Sequence, residues 1–259
     1  MLLNGLEMDF TDSGEGQPIL LLHGLALDKR IWSPVVAAYA SQARFITPDL
    51  RGHGKSSVGK ADGTLGQIAD DLLALLDAQD LPKVCLLGHS MGGYIALEFA
   101  ARYPQRLASL VLLTSNIRAD APEKQKGRLE DAQKVLDGGV PAFAAGMASR
   151  LTRDPFLADQ LRTQMETIDP AGLSNILIAI ANRPDQRGLL PTLKIPVLAI
   201  AGAEDQISAP AFAVEAADLA ARGHKLVLPG VGHMPMLENP LALGAAIISF
   251  QEVCHEYQA

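Results

Sequence analysis

Lys83-Val-Cys-Leu-Leu-Gly-His-Ser-Met-Gly-Gly93 is the stretch from which the rest of the chain can be placed. Val84 to Leu87 run without a polar residue, the mark of a short strand buried on both faces, and a helical pattern follows from Met91 to Arg102. Between them lies Gly88-His89-Ser90-Met91-Gly92, a G-x-S-x-G pattern in a strand-turn-helix setting. So sharp a turn strains the backbone of Ser90, and flanking glycines let strand and helix approach without Cβ clashes. The serine hydroxyl is then lifted clear of the sheet, with the backbone N–H of Met91 beside it at a helix N-terminus.

The same rhythm extends to both sides. Leu65 to Ala78 is an amphipathic helix, with apolar residues at Leu65, Ile68, Ala69, Leu72, Leu73, Leu75 and Leu76. Before it, Arg44 to Thr47 reads as a strand that stops at Pro48-Asp-Leu-Arg-Gly-His-Gly-Lys-Ser56, a polar, glycine-rich loop too long for a simple turn. Ile31 to Ala40 has helical spacing, with Asp28 as its cap. Ile19 to Leu22 reads as an interior strand ending at His23-Gly24-Leu25, and Leu6 to Phe10 with the turn residues Asp12 to Gly16 as an edge hairpin leading into it.

Toward the C-terminus, Leu107 to Leu113 is another apolar strand, after which the rhythm changes. From Ser115 to Leu190 no buried strand appears, and helices are expected at Pro122 to Asp137, Val140 to Ser149, Pro155 to Ile168 and Pro170 to Asn182. Asp154-Pro155 and Asp169-Pro170 each set a capping acid before a proline at the first helical position. Strand and helix then alternate again: Ile195 to Ala201, Ala209 to Ala221, Lys225 to Leu228 and Leu241 to Cys254. The pattern predicts an α/β fold with a mostly parallel sheet of about eight strands and helices on both faces. Its core spans residues 1–114 and 191–259, and 115–190 form an inserted helical lid.

A chain of 259 residues that is 48% hydrophobic supports one large core. Its net charge of -7 gives no electrostatic reason to bind nucleic acid or an anionic membrane surface. Cys85 and Cys254 make no disulfide framework and read as small buried apolar groups in a reducing compartment. The start of the chain lacks the basic and apolar run of a secretory signal, and no stretch reaches the length of a membrane span. A cytoplasmic monomer or homodimer is the expectation.

A serine hydroxyl is a weak nucleophile until a base takes its proton, and the base needs an acid to fix its tautomer. In a sheet of this kind the acid and then the histidine should follow the serine in sequence. Glu204 and Asp205, just past the strand ending at Ala201, are the candidate acids. Of the histidines beyond them, His224 opens the last strand and His255 lies in the closing helix, whereas His233 sits on the loop past that strand and is the expected base. Asp49 also lies near a strand tip but precedes the serine. No histidine pair has ligand spacing with a carboxylate or cysteine, so no metal is expected.

Taken in order, His23-Gly24, Pro48 to Ser56, Gly88 to Gly93, Gly202 to Asp205 and Gly232-His233 resemble the α/β-hydrolase fold superfamily over essentially the whole chain. The resemblance is to its lidded branch, which contains carboxylesterases, enol-lactonases and carbon–carbon bond hydrolases. It implies that Asp205 rather than Glu204 is the acid, that the Leu25 N–H joins that of Met91 in an oxyanion hole, and that the loop opened by Asp49 is structural. His23 and His89 are expected to orient loops, and His53 and Arg51 to hydrogen-bond backbone.

The expected activity is a serine hydrolase cleaving small or medium carboxylic esters with no cofactor, its partner a small-molecule ester. Two rivals stand beside it: an enol-lactone or carbon–carbon hydrolase acting on a carboxylated substrate, and a non-catalytic binder of a small apolar ligand. In the carbon–carbon hydrolases a tryptophan commonly follows the catalytic histidine, and Met234 stands there instead. Phe143 and Met147 of the lid, with Met234, are the expected apolar pocket. An inward arginine among Arg150, Arg153, Arg162, Arg183 and Arg187 would change the substrate class.

Overall fold

In the computed structural model, residues 1–59 and 63–256 are described. Strands β1 (Leu2–Leu3) and β2 (Leu6–Glu7) form a small hairpin about Asn4-Gly5, whose positive φ angles of 49° and 74° suit a primed two-residue turn. The main sheet begins with β3 (Phe10–Ser13) and β4 (Pro18–Leu22). Helix α1 (Ser33–Tyr39) follows a short 3-10 turn capped by Asp28, and β5 (Arg44–Pro48) follows α1. Then come α2 (Leu65–Ala78), β6 (Val84–His89), α3 (Met91–Arg102) and β7 (Leu107–Leu113).

Four helices separate β7 from the next strand: α4 (Pro122–Lys134), α5 (Val140–Leu151), α6 (Pro155–Met165) and α7 (Pro170–Ala181). The chain closes with β8 (Val197–Gly202), α8 (Pro210–Leu219), β9 (Gly223–Leu228), the single turn α9 (Pro235–Glu238) and α10 (Pro240–Glu256). The caps do what their chemistry allows. Asp154 accepts hydrogen bonds from the N–H groups of Phe156 and Leu157, and Asp169 from those of Ala171 and Gly172.

The sheet order is β3-β5-β4-β6-β7-β8-β9, parallel throughout except for β3. Every residue of β6 and β8 is buried, as strands covered on both faces must be. The registers Leu22↔Gly88, His89↔Leu113, Leu113↔Ile200 and Gly202↔Leu228 bring the strands to a common carboxyl edge. Side chains on the loops that leave this edge meet, however far apart they lie in sequence. Below it, α2 packs on α3 and α1 on α10. One continuous apolar core joins the sheet, these helices and α4 to α7.

Two expectations are corrected. The segment after Leu6 does not make an edge hairpin with Pro18–Leu22: β3 pairs antiparallel with β5, in the register Phe10↔Pro48, and β4 lies on the far side of β5. The wholly apolar β4 needs a neighbour on each side, while the polar Thr11 and Asp12 suit an edge. Because Leu6–Glu7 pairs off in the small hairpin, the main sheet has seven strands. Helix α4 also ends before Asp137, where Gly138 at φ 91° breaks the regular backbone.

Candidate active site

Ser90 stands between the end of β6 and the start of α3 with φ 52° and ψ -111°, a conformation an L-residue holds only when its surroundings enforce it. The enforcement is visible. The Ser90 N–H donates to Leu113 O at 2.9 Å, and its carbonyl accepts from the Ser115 hydroxyl at 2.8 Å and from the Gly93 N–H at 2.9 Å. A Cβ on Gly88 would lie 2.2 Å from Gly92 O, and one on Gly92 would lie 2.6 Å from Leu22 O. Of the four other described non-glycine residues with positive φ, Ala26 and Thr114 follow β4 and β7 at this same edge, while Asn4 and Asp80 lie in turns elsewhere.

Asp205 lies on the loop after β8 and His233 on the loop after β9. His233 Nδ1–H donates to Asp205 Oδ2 at 2.7 Å, while Asp205 Oδ1 accepts from the N–H groups of Ile207 and Ser208 at 2.7 and 2.9 Å. These bonds fix the carboxylate, and the carboxylate fixes the imidazole tautomer. The other ring nitrogen, Nε2, is buried without a hydrogen-bond partner among the described residues. His233 nevertheless borders a cavity of about 50 Å³ that also holds Ser90, Leu25 and Met91. The backbone N–H groups of Leu25 and Met91 have no acceptor among the described residues. A wider cleft of about 690 Å³, lined by Arg150, Arg153 and Glu204, reaches His233 from outside but not Ser90.

Three further histidines hold this arrangement in place. His89 Nε2–H donates to the carbonyl of His233 at 2.9 Å, which also accepts from the Thr114 hydroxyl at 3.3 Å. His23 accepts from the Leu50 N–H at 3.0 Å and donates to Gly24 O at 2.8 Å, tying the loop that carries Leu25 to the loop after β5. His53 donates to Arg51 O at 2.9 Å. Burial keeps all three neutral: it lowers His23 to about 4 and His53 to about 3, and it pushes His89 well below the ordinary imidazole value.

The loop after β5 is built as a brace. Asp49 accepts from the backbone N–H groups of Lys29 and Lys55 at 2.8 and 2.9 Å and from Lys29 Nζ at 2.6 Å. Arg51 makes a fully buried fork to Asp71, at 2.8 and 2.7 Å. Glu204 faces outward and pairs with Arg153 across the wide cleft. His224 lies on β9 with its ring against Phe250, away from the cavity, and the side chain of His255 lies outside the described residues.

Of the expected apolar pocket, Met147 borders the Ser90 cavity, with Leu151 and Ile180. Phe143 does not. It lies one turn earlier on α5, about 6 Å along the axis, and opens on a separate outer cleft beside Gly138 and Gly139. Met234 is also corrected: it caps the start of α9, is wholly buried in the core and does not border the cavity. Arg183 is buried against Asp120 and stacks 4.1 Å over the Tyr94 ring, and Arg187 pairs with Asp185 at the surface.

The reading of the sequence missed the cavity's cations, Lys124 and Arg128 of α4. A signal was present: Arg128 lies four residues before the buried Ala132 and seven before the buried Val135, on one helical face with Lys124. Among the described residues no set of three His, Cys, Asp or Glu side chains is placed to gather a metal ion.

Comparison with known proteins agrees with this geometry. A family model described as the alpha/beta hydrolase fold matches residues 17–167. The chain is 33% identical to the dihydrolipoyllysine-residue acetyltransferase component of the acetoin cleaving system of Pseudomonas putida, over 93% of its own length and 65% of that protein's; it therefore spans just under two thirds of this longer relative. A thermophilic esterase from Thermogutta terrifontis, solved with malate bound, superposes with a TM-score of 0.92 at 35% identity, covering 96% of this chain and 94% of that one. The enol-lactonase of Burkholderia xenovorans LB400 gives 0.88 at 28% identity, over 97% and 99%. The strained serine turn, the parallel sheet and the family match together establish that this chain belongs to the α/β-hydrolase fold family.

Proposed function

We propose that the chain is a serine hydrolase that cleaves short carboxylic esters through an acyl-enzyme. One observation carries the reading: the buried His233 ring is held by Asp205 with Nε2 unpaired, and it shares a cavity with Ser90. Ser90 Oγ attacks the ester carbonyl carbon while its proton passes to His233 Nε2. The Leu25 and Met91 N–H groups hold the resulting oxyanion, each worth about 3 kcal/mol of barrier, and the α3 dipole adds to the second. Collapse of the intermediate breaks the carbon–oxygen bond, and the leaving alkoxide takes the proton from His233. Water then repeats the sequence on the acyl-enzyme, giving up a proton to His233 and releasing the acid and free Ser90.

His233 Nε2 has no hydrogen-bond partner among the described residues, and the proposed reaction requires it to close on Ser90 Oγ with the ester bound. Helices α4 to α7 act as a lid, with Met147, Leu151 and Ile180 as its apolar wall. The likeness to an enol-lactonase supports a second reading within the same chemistry: a lactone is a cyclic ester, whose alkoxide leaves tethered to the acyl group.

Replacing Ser90→Ala tests the reading on p-nitrophenyl butyrate. Turnover should fall by roughly 10³-fold or more with the circular dichroism spectrum unchanged. Equal rates for the two proteins reject the nucleophile.

A further inference from the structure

We infer that the Ser90 cavity selects a short ester that carries a free carboxylate, which Lys124 and Arg128 of α4 receive. The inference deepens the hydrolase reading and rests on it for the position of the reacting carbonyl. Lys124 and Arg128 both border the cavity, and no Asp or Glu borders it among the described residues. The nearest acid, Asp120, is already oversubscribed. It accepts from Arg128 Nε at 2.5 Å and from Arg183 at 2.8 and 2.9 Å, and it lies 3.6 Å from Lys124 Nζ.

Three cations therefore share one carboxylate. Arg183 is satisfied within the protein, since it also donates to Ile180 O and Arg118 O and lies over Tyr94. Arg128 is not. Its side chain is only 15% exposed, yet Nε alone is hydrogen-bonded, which leaves the two terminal nitrogens of its fork without an acceptor among the described residues. Those nitrogens are accessible rather than sealed in the core, so a carboxylate in the cavity can meet the guanidinium with two charge-assisted bonds.

Lys124 points the same way. Its side chain is half exposed at the cavity's edge; partial burial and then the neighbouring Arg128 lower its ammonium below the ordinary lysine value, and an anion between the two cations would offset their repulsion. The rest of the lining has no charge to repel an anion, and the Tyr94 hydroxyl and Asn116 offer hydrogen bonds. The cavity beside Ser90 is small, about 50 Å³, which favours a short acyl chain over a long one.

The ratio of kcat/KM for monomethyl succinate to that for dimethyl succinate reads the carboxylate directly. The wild-type ratio should exceed ten, and Lys124→Met and Arg128→Leu should each lower it at least ten-fold. A wild-type ratio at or below one, or equal proportional losses on both esters in the variants, overturns the inference. Succinate binding to Ser90→Ala protein by calorimetry separates this from the hydrolase reading. If no ester is turned over and Ser90 resists a fluorophosphonate, the hydrolase reading falls while the binding result still decides the anion site. Binding weakened at least ten-fold by adding Lys124→Met supports it; no binding, or binding unchanged by that substitution, sinks it.

Discussion

In the proposed mechanism the Ser90 hydroxyl is a nucleophile because the backbone places it, and the glycines around it make that placement possible. Gly88→Ala would drive a methyl group into Gly92 O, backbone against backbone. It should cost about 3 kcal/mol or more, seen as a large drop in urea midpoint. Gly146→Ala, exposed on α5 with nothing within 4 Å of the new methyl, should instead stabilise the protein by about 1 kcal/mol. Equal effects would show that the close approach at Gly88 is not real. Asp205→Asn probes the next residue inward. An amide oxygen can still accept from Ile207 and Ser208, but its NH₂ then faces His233 Nδ1 and forces the proton onto Nε2, so kcat should fall by about 10⁴-fold with stability kept. Loss under tenfold would remove Asp205 from the proposed mechanism. Ser90 and His233 were legible in the sequence because their motifs report backbone geometry. Arg128 was legible only in part: it shares a helical face with Ala132 and Val135, but that spacing does not say which element will cover the face.

Among the elements, the loop after β5 shows how a polar segment can be structural. Arg51 and Asp71 are almost completely buried as a pair, so Asp71→Ala would leave an unpaired guanidinium inside the protein. A loss of about 3–5 kcal/mol is expected. Asp77→Ala removes the exposed partner of Arg106 and should cost no more than about 1 kcal/mol. Matching urea midpoints for the two variants would contradict a bracing role. The starts of α6 and α7 could be placed from sequence because Asp154 and Asp169 announce them chemically, and α2 by its apolar spacing. The partner of β3 could not, since alternation predicts a strand with one wet face and says nothing of which neighbour it takes.

For the molecule as a whole, neutral buried histidines tie stability to pH. His23, His53 and His89 bind protons more weakly folded than unfolded, so the unfolded chain takes up more protons below about pH 6.5 and gains on the native state. Each should remove about 1.4 kcal/mol per pH unit between there and its folded value, near 4 for His23 and near 3 for His53. Tm should hold above pH 7 and fall steeply between pH 6.5 and 4.5; a flat profile would mean that these rings are solvated. The same architecture gathers the site, because parallel strands end at one edge and their loops bring residues 90, 205 and 233 together. Reaction of the protein with a fluorophosphonate, followed by peptide mass mapping, tests that convergence most directly. The account predicts one stoichiometric adduct, on Ser90, and almost none in Asp205→Asn; an unlabelled Ser90, or an adduct on another residue, would contradict it.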